Sequence, residues 1–281
     1  MFRQIAGHLL HSVIRKQFAK RAAINPAATG DAVQPAPPPV PPTCEFAVIC
    51  AAEREIMGLV DRMRNVRSTQ AAGFQLSSGV LAGKSIVIAV CPVDGDVTQA
   101  TEAIITGHDP KLVLAMGFAD ALIPSAAIND LVVANRIVNT AHHGVTIDIA
   151  AITTKGCHTG TLLSVPDLPK SPHERTELAK SHEALSAGRI ALPVAVACGH
   201  RQVPMMAVYV ITRRLNDQLP AEVDHLYKQG SWAGRAGALL GGITRRPSAA
   251  TDLWKLQENV WQARGRLADF AEDMAKRYSK G

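Results

Sequence analysis

The sequence predicts an α/β domain in which a mixed central β-sheet is flanked by helices, preceded by an amphipathic helix and a proline-rich linker. Three observations predict it. Short apolar runs such as Phe46 to Ala51, Leu112 to Met116, Leu131 to Ile137 and Met205 to Ile211 end at glycine or polar clusters, as strands buried on both faces do. Helical segments lie between them, the alternation expected of crossovers onto a largely parallel sheet. One hairpin, Phe74 to Ser78 and Ser85 to Val90 around Gly79 to Lys84, interrupts the alternation and makes the sheet mixed.

Taken in order, residues 1–23 form a basic amphipathic helix. Phe2, Ile5, Leu9, Leu10, Val13, Ile14 and Phe18 fall near one face, with basic residues largely on the other, a pattern suited to an anionic membrane surface or a partner's groove. Residues 24–43 are a linker, because Pro26, Pro35, Pro37, Pro38, Pro39, Pro41 and Pro42 favour extended polyproline geometry. The folded domain spans residues 44–281. Its first strand, Phe46 to Ala51, leads to Glu53-Arg54-Glu55 and a helix reaching about Met63; a helix at about Val97 to Gly107 follows the hairpin. The strand Leu112 to Met116 ends in a turn at Gly117-Phe118-Ala119-Asp120-Ala121, and Leu131 to Ile137 is the next strand. Pro172 to Leu185 is a polar helix leading into a short helix, a turn at Gln202-Val203-Pro204 and the strand Met205 to Ile211, which stops at Thr212-Arg213-Arg214. A glycine-rich segment, Gly230 to Gly242, precedes a long amphipathic helix capped by Thr251 or Asp252.

Bulk properties narrow the function. The chain has 281 residues, 47% of them hydrophobic, with a formal net charge of +6. Five of its positive charges, Arg3, Arg15, Lys16, Lys20 and Arg21, precede the first acidic residue, Asp31. The remainder carries about +1, which disfavours a nucleic-acid partner. No apolar run reaches the roughly 18 to 20 residues that span a bilayer. Cys44, Cys50, Cys91, Cys157 and Cys198 are odd in number and scattered, which reads as reduced thiols in a cytoplasmic protein, with the N-terminal helix as its route to a membrane periphery.

Several motifs are decoys. Gly79-Val80-Leu81-Ala82-Gly83-Lys84-Ser85 resembles a phosphate loop, yet it has three residues between its glycines where four are needed, and it leads into a strand rather than a helix N-terminus. His142 and His143 lack a third ligand at metal-binding spacing. Cys157-His158 is too weak a pair to mark a nucleophile. No metal or cofactor is expected.

Three segments together resemble the nucleoside phosphorylase and nucleosidase superfamily. Leu112 to Ile137, LVLAMGFADALIPSAAINDLVVANRI, is similar to its strand, glycine turn and G-D-V-V strand. Val203 to Pro220 looks like its V-P-F-L-A-V-R-V-I-S-D strand and the D-D-E-L-P run beyond it. Arg245-Arg246-Pro247-Ser248 with Asp252-Leu253-Trp254 is similar to the branch associated with hopanoid biosynthesis. The resemblance implies a three-layer phosphorylase-like fold, a homo-oligomer, a nucleoside-like ligand, and cleavage of an N-ribosidic bond through a cation-like sugar. Such cleavage needs an acid to protonate the departing purine, a carboxylate to grip the ribose, and an activated water or a phosphate.

The family's site positions are only partly kept. Its acid follows the V-I-S strand, where this chain has Arg213, a permanent cation that cannot deliver a proton. Its ribose-binding glutamate lies in D-M-E-S, matched here by Gly188, Arg189, Ile190 and Ala191, so Ile190 replaces the carboxylate. The glycine loop before the second helix becomes Cys91-Pro92-Val93, and the G-G of the strand turn becomes Asp120-Ala121. Gly117, Phe118 and Ala119 keep the substrate-binding turn, and Glu55 stands where nucleosidases orient the attacking water. These changes all fall on the inferred site while the apolar faces look intact. The expected function is therefore a binding or interaction protein with N-ribosidic cleavage lost or strongly impaired. The alternative is an active purine nucleosidase or phosphorylase that uses Glu55 with a replacement acid, Asp217, Asn216 or Asp120.

Overall fold

The computed structural model describes residues 43–71, 73–149, 155–217 and 248–277, with side chains of the last helix from residue 257 onward. The expected N-terminal helix at residues 1–23, most of the linker and the glycine-rich segment at Gly230 to Gly242 lie outside the described residues. Among the described residues no helix is long and apolar enough to cross a membrane.

Ten strands form one mixed sheet. The chain runs β1 (Phe46–Cys50), α1 (Glu53–Val60), β2 (Arg64–Ala71), β3 (Phe74–Leu81), β4 (Lys84–Val90), α2 (Val97–His108) and β5 (Leu112–Ala121). It continues through β6 (Leu131–Val138), β7 (Gly144–Thr146), β8 (Cys157–Ser164), α3 (Pro172–His182), β9 (Ser186–Gly188), α4 (Ala191–Arg201), β10 (Met205–Arg213) and α5 (Ser248–Arg277). All ten residues of β5 are buried, because this strand is shared by three neighbours. β10 runs parallel along one edge from Val113 to Asp120. On the other edge β1 covers Leu112 to Ala115 and antiparallel β9 covers Ala119 to Ala121. Met116, Gly117 and Phe118 are left without a ladder partner on that second edge. Since β6 joins β10 to β8, and β8 joins β9, the five strands β5, β10, β6, β8 and β9 close into a ring. The interruption between β1 and β9 is a switch point, the place where open α/β sheets build their crevices.

The hairpin turns at Ala82 and Gly83, whose φ values are +47° and +82°, a pair that a tight two-residue turn demands. The phosphate-loop look-alike is thus a strand-turn-strand unit with no helix N-terminus. Two expectations are corrected and three strands are added. The stretch Gly117 to Ala121 is not a turn; it completes β5, because β9 and β10 both pair with it. The edge strand β2 escaped notice because its sequence, RNVRSTQA, is almost wholly exposed and carries no apolar alternation. β8, with its central glycine and threonines, and the three-residue β9 were missed for similar reasons. The last helix begins at Ser248, before either expected cap.

Helix α5 docks on α1 through Gly58, where an added Cβ would meet the Arg264 carbonyl oxygen at 3.1 Å. Arg264 Nε in turn donates to the Arg54 carbonyl at 2.6 Å. Leu267, Phe270 and Met274 repeat at helical spacing and are fully buried or nearly so, which makes α5 part of the core. Phe270→Ala should therefore cost about 3 to 5 kcal/mol of unfolding free energy in a urea titration. A loss below about 1 kcal/mol would mean that α5 does not pack on the domain.

Candidate active site

The interrupted edge of β5 is filled by one carboxylate. Glu55 lies in the first turn of α1, where the helix dipole favours an anion. Its side chain is 5% exposed, accepting from the backbone N–H of Ala51 at 3.0 Å, Ala52 at 3.2 Å and Phe118 at 3.5 Å. The bond from Ala52 is the reciprocal half of a capping box; the bond from Phe118 reaches the β5 edge that lacks a strand. Burial pushes the Glu55 carboxyl above the ordinary glutamate range, against the opposing pull of these amides. Gly117 makes the approach possible, since a Cβ there would sit 3.3 Å from Glu55 Oε2 and 3.0 Å from the Tyr209 ring.

Tyr209 links this carboxylate to the next group. It is 1% exposed on β10, and its hydroxyl donates to the Arg189 carbonyl oxygen. Gly188 leaves room for the ring, as a Cβ there would lie 2.8 Å from two ring carbons. Ile190 follows with φ +53° and ψ −5°, a left-handed conformation that a β-branched residue rarely adopts. Its buried side chain lines a cavity of about 460 Å³ together with Asp96, Asn139, Ser164, Leu192 and Pro193. The loop between β4 and α2 forms the facing wall. Asp96 there accepts from Gln99 N–H at 2.9 Å as the N-cap of α2, so a carboxylate already occupies the helix end that would otherwise attract phosphate.

At the carboxyl end of β10 the strand register shifts between Ile211 and Arg213, making Thr212 the extra residue. Such irregularities re-aim side chains beside functional sites. Arg213 is brought opposite Asp120 of β5. Its Nε donates to Asp120 Oδ1 at 2.7 Å and its Nη2 to Oδ2, while Nη2 also reaches the Pro169 carbonyl at 3.2 Å. Asp120 is completely buried. Burial pushes its carboxyl up and the Arg213, Arg175 and Arg189 guanidinium groups pull it back. Both oxygens accept from one guanidinium, so a proton placed on either would displace a charge-assisted bond.

The remaining candidates are engaged elsewhere. Asp217 Oδ2 accepts from Arg214 N–H at 2.8 Å inside a tight turn whose Asp217 N–H returns to the Arg214 carbonyl. Neither it nor exposed Asn216 lines the cavity. His158 binds Asp130 at 2.9 Å, and burial pushes the Cys157 thiol up to about 12, a value incompatible with a thiolate nucleophile at neutral pH. His142 stacks against His182, with ring centroids 4.5 Å apart. Phe118 and Ala119 are buried within β5. Tyr209, Arg175 and Arg189 were not singled out in the sequence. Tyr209 is hidden in an apolar run, and Arg175 in a helix whose charged composition gives no inward face.

The raised Glu55 carboxyl has a linkage consequence. The folded state holds this proton more tightly than the unfolded chain, so stability falls as pH rises from the ordinary glutamate range through the folded value. Unfolding free energies measured across that window should decline for the native chain, and Glu55→Gln should flatten the decline. An unchanged slope in the variant would contradict the placement of Glu55.

Part of the sequence, and the fold, are similar to those of known proteins. The family model of the phosphorylase superfamily matches residues 45–154. The 5'-methylthioadenosine/S-adenosylhomocysteine nucleosidases of Shewanella halifaxensis and Shewanella sediminis are 31% and 32% identical over 105 residues. That match covers 37% of this chain and 44% of each relative, so the chain spans less than half the length of the curated relatives it matches. In three dimensions the corresponding nucleosidase of Helicobacter pylori superposes with a TM-score of 0.60 at 17% identity, covering 83% of this chain and 98% of that one. The Campylobacter jejuni enzyme gives 0.61 at 13% identity, covering 83% and 99%. Futalosine hydrolase of Helicobacter pylori gives 0.57 at 17%, covering 82% and 96%. Residues 45–154 thus match the phosphorylase superfamily, and most of the chain shares the fold of these nucleosidases.

Proposed function

We propose that this chain is a nucleoside-class binding protein on the phosphorylase fold, with N-ribosidic cleavage lost or strongly impaired. The observation that carries the reading is the Arg213–Asp120 pair at the end of β10. Cleavage of an N-ribosidic bond leaves electron density on the departing base, and an acid in reach must quench it. Arg213 stays protonated throughout. Asp120 gives up both its oxygens to Arg213, and Asp217 gives one oxygen to a turn amide and lies outside the cavity lining.

The sugar side supports the same reading. Ile190 presents a hydrocarbon branch to the cavity, so a ribose hydroxyl placed against it would find no acceptor. Losing a general acid alone removes about two to four orders of magnitude of rate, and the missing ribose contact compounds the loss. A volume of about 460 Å³ lies in the range of small-molecule sites. The ligand class follows from the relatives, one of which holds 5'-methylthioadenosine in its active site.

Base release from 5'-methylthioadenosine, S-adenosylhomocysteine and inosine, with and without phosphate, tests the reading. The expected result is a rate at background, together with a rise in melting temperature on adding a nucleoside. Turnover that Glu55→Gln abolishes would overturn it.

A further inference from the structure

Asp120 is outnumbered by the guanidinium groups around it. Arg213, Arg175 and Arg189 all lie close enough to act on its carboxyl, and Arg175 and Arg213 act on each other. Arg175 is fully buried; its Nε donates to the Leu215 carbonyl at 2.9 Å and its Nη2 to the Asp217 carbonyl. Arg213 spends its bonds on Asp120 and on the Pro169 carbonyl. Each of the three guanidiniums then retains one buried nitrogen with no hydrogen-bond acceptor: Arg175 Nη1, Arg189 Nε and Arg213 Nη1.

The sign of what would complete this cluster follows from its charge. Three guanidinium cations face a single buried carboxylate. The two other acids nearby, Asp217 and Glu174, direct oxygens to the backbone amides of Arg214 and Lys170 nearer the surface. Buried donors without acceptors are rare and costly, and a surplus of cations away from water is costlier still. Guanidinium forks match oxyanions in geometry as well as in charge. The cluster is joined to the cavity wall through the chain: Arg189 precedes Ile190, which lines the cavity, and β9 places Ala187 opposite Asp120.

We propose that Arg175, Arg189 and Arg213 form an oxyanion subsite at the carboxyl end of β5 and β10, which holds a phosphate or carboxylate group of the ligand. Resting on the nucleoside-binding reading above, this assigns the ligand to the anionic nucleoside derivatives, with the uncharged portion in the adjoining cavity. It also gives Arg213 a role beyond displacing an acid: Asp120 orients the fork, and Nη1 keeps a donor without an acceptor.

Binding to the full chain at fixed ionic strength tests this, with adenosine, adenosine monophosphate, inorganic phosphate and acetate as probes. Adenosine monophosphate should bind at least about tenfold more tightly than adenosine, the increment of one charge-assisted hydrogen bond. Phosphate should raise the melting temperature where chloride of equal ionic strength does not; a rise with acetate as well would extend the site to carboxylates. Arg189→Met should remove the tenfold advantage and leave adenosine affinity unchanged. Arg213→Met strips Asp120 of its partner, so the partly exposed Arg189 supplies the variant that is safe for folding. Equal affinity for adenosine and its monophosphate, or an advantage that survives Arg189→Met, would overturn the subsite while the nucleoside reading stands. Phosphate binding without adenosine binding would keep the subsite and overturn that reading.

Discussion

The ion pair between Arg213 and Asp120 is the constraint on which the chemistry of this fold turns. Both groups are withdrawn from water, Asp120 completely, so each would be expensive alone and the two stand or fall together. The register shift at Thr212 sets them opposite one another on adjacent parallel strands. Position thereby becomes chemistry. The end of β10 carries a cation, and the acid beside it is held as an acceptor.

Around that pair the scaffold keeps its form. β5 remains shared among β1, β9 and β10, and the interruption between β1 and β9 still receives the Glu55 carboxylate. Ile190 holds a left-handed backbone conformation with no glycine's freedom, a strain on the order of 1 to 3 kcal/mol that the packing of β9 and α4 must sustain. That backbone presents a hydrocarbon side chain to the cavity. Gly117 and Gly188, which admit Glu55 and Tyr209 by lacking a Cβ, keep the two halves of the site in contact. The core strands stay buried throughout, so the frame that holds these charges is intact.

How much of this was legible depends on the kind of signal. Apolar runs such as Met205 to Ile211 announce themselves because a strand buried on both faces needs no alternation, and the hairpin and α2 follow from equally local cues. β2 and β8 escape because their residues are exposed or mixed, and they become strands only through neighbours far away in sequence. The stretch Gly117 to Ala121 was misjudged for the same reason: its glycine suggests a turn, but β9 and β10 impose extension from outside. At the site, an arginine at position 213 and an aspartate at position 120 were each visible in the sequence. That they answer one another, with Arg175 and Arg189 beside them, requires the sheet's register, which no local pattern encodes.

A double-mutant cycle on Asp120→Asn and Arg213→Met, read as unfolding free energy, addresses the central claim most directly. The account requires that the single changes be strongly destabilising, by about 3 to 5 kcal/mol each, and that the pair together cost much less than their sum. Additive losses would mean that the two side chains do not share a bond, and the end of β10 would again be open to an acid.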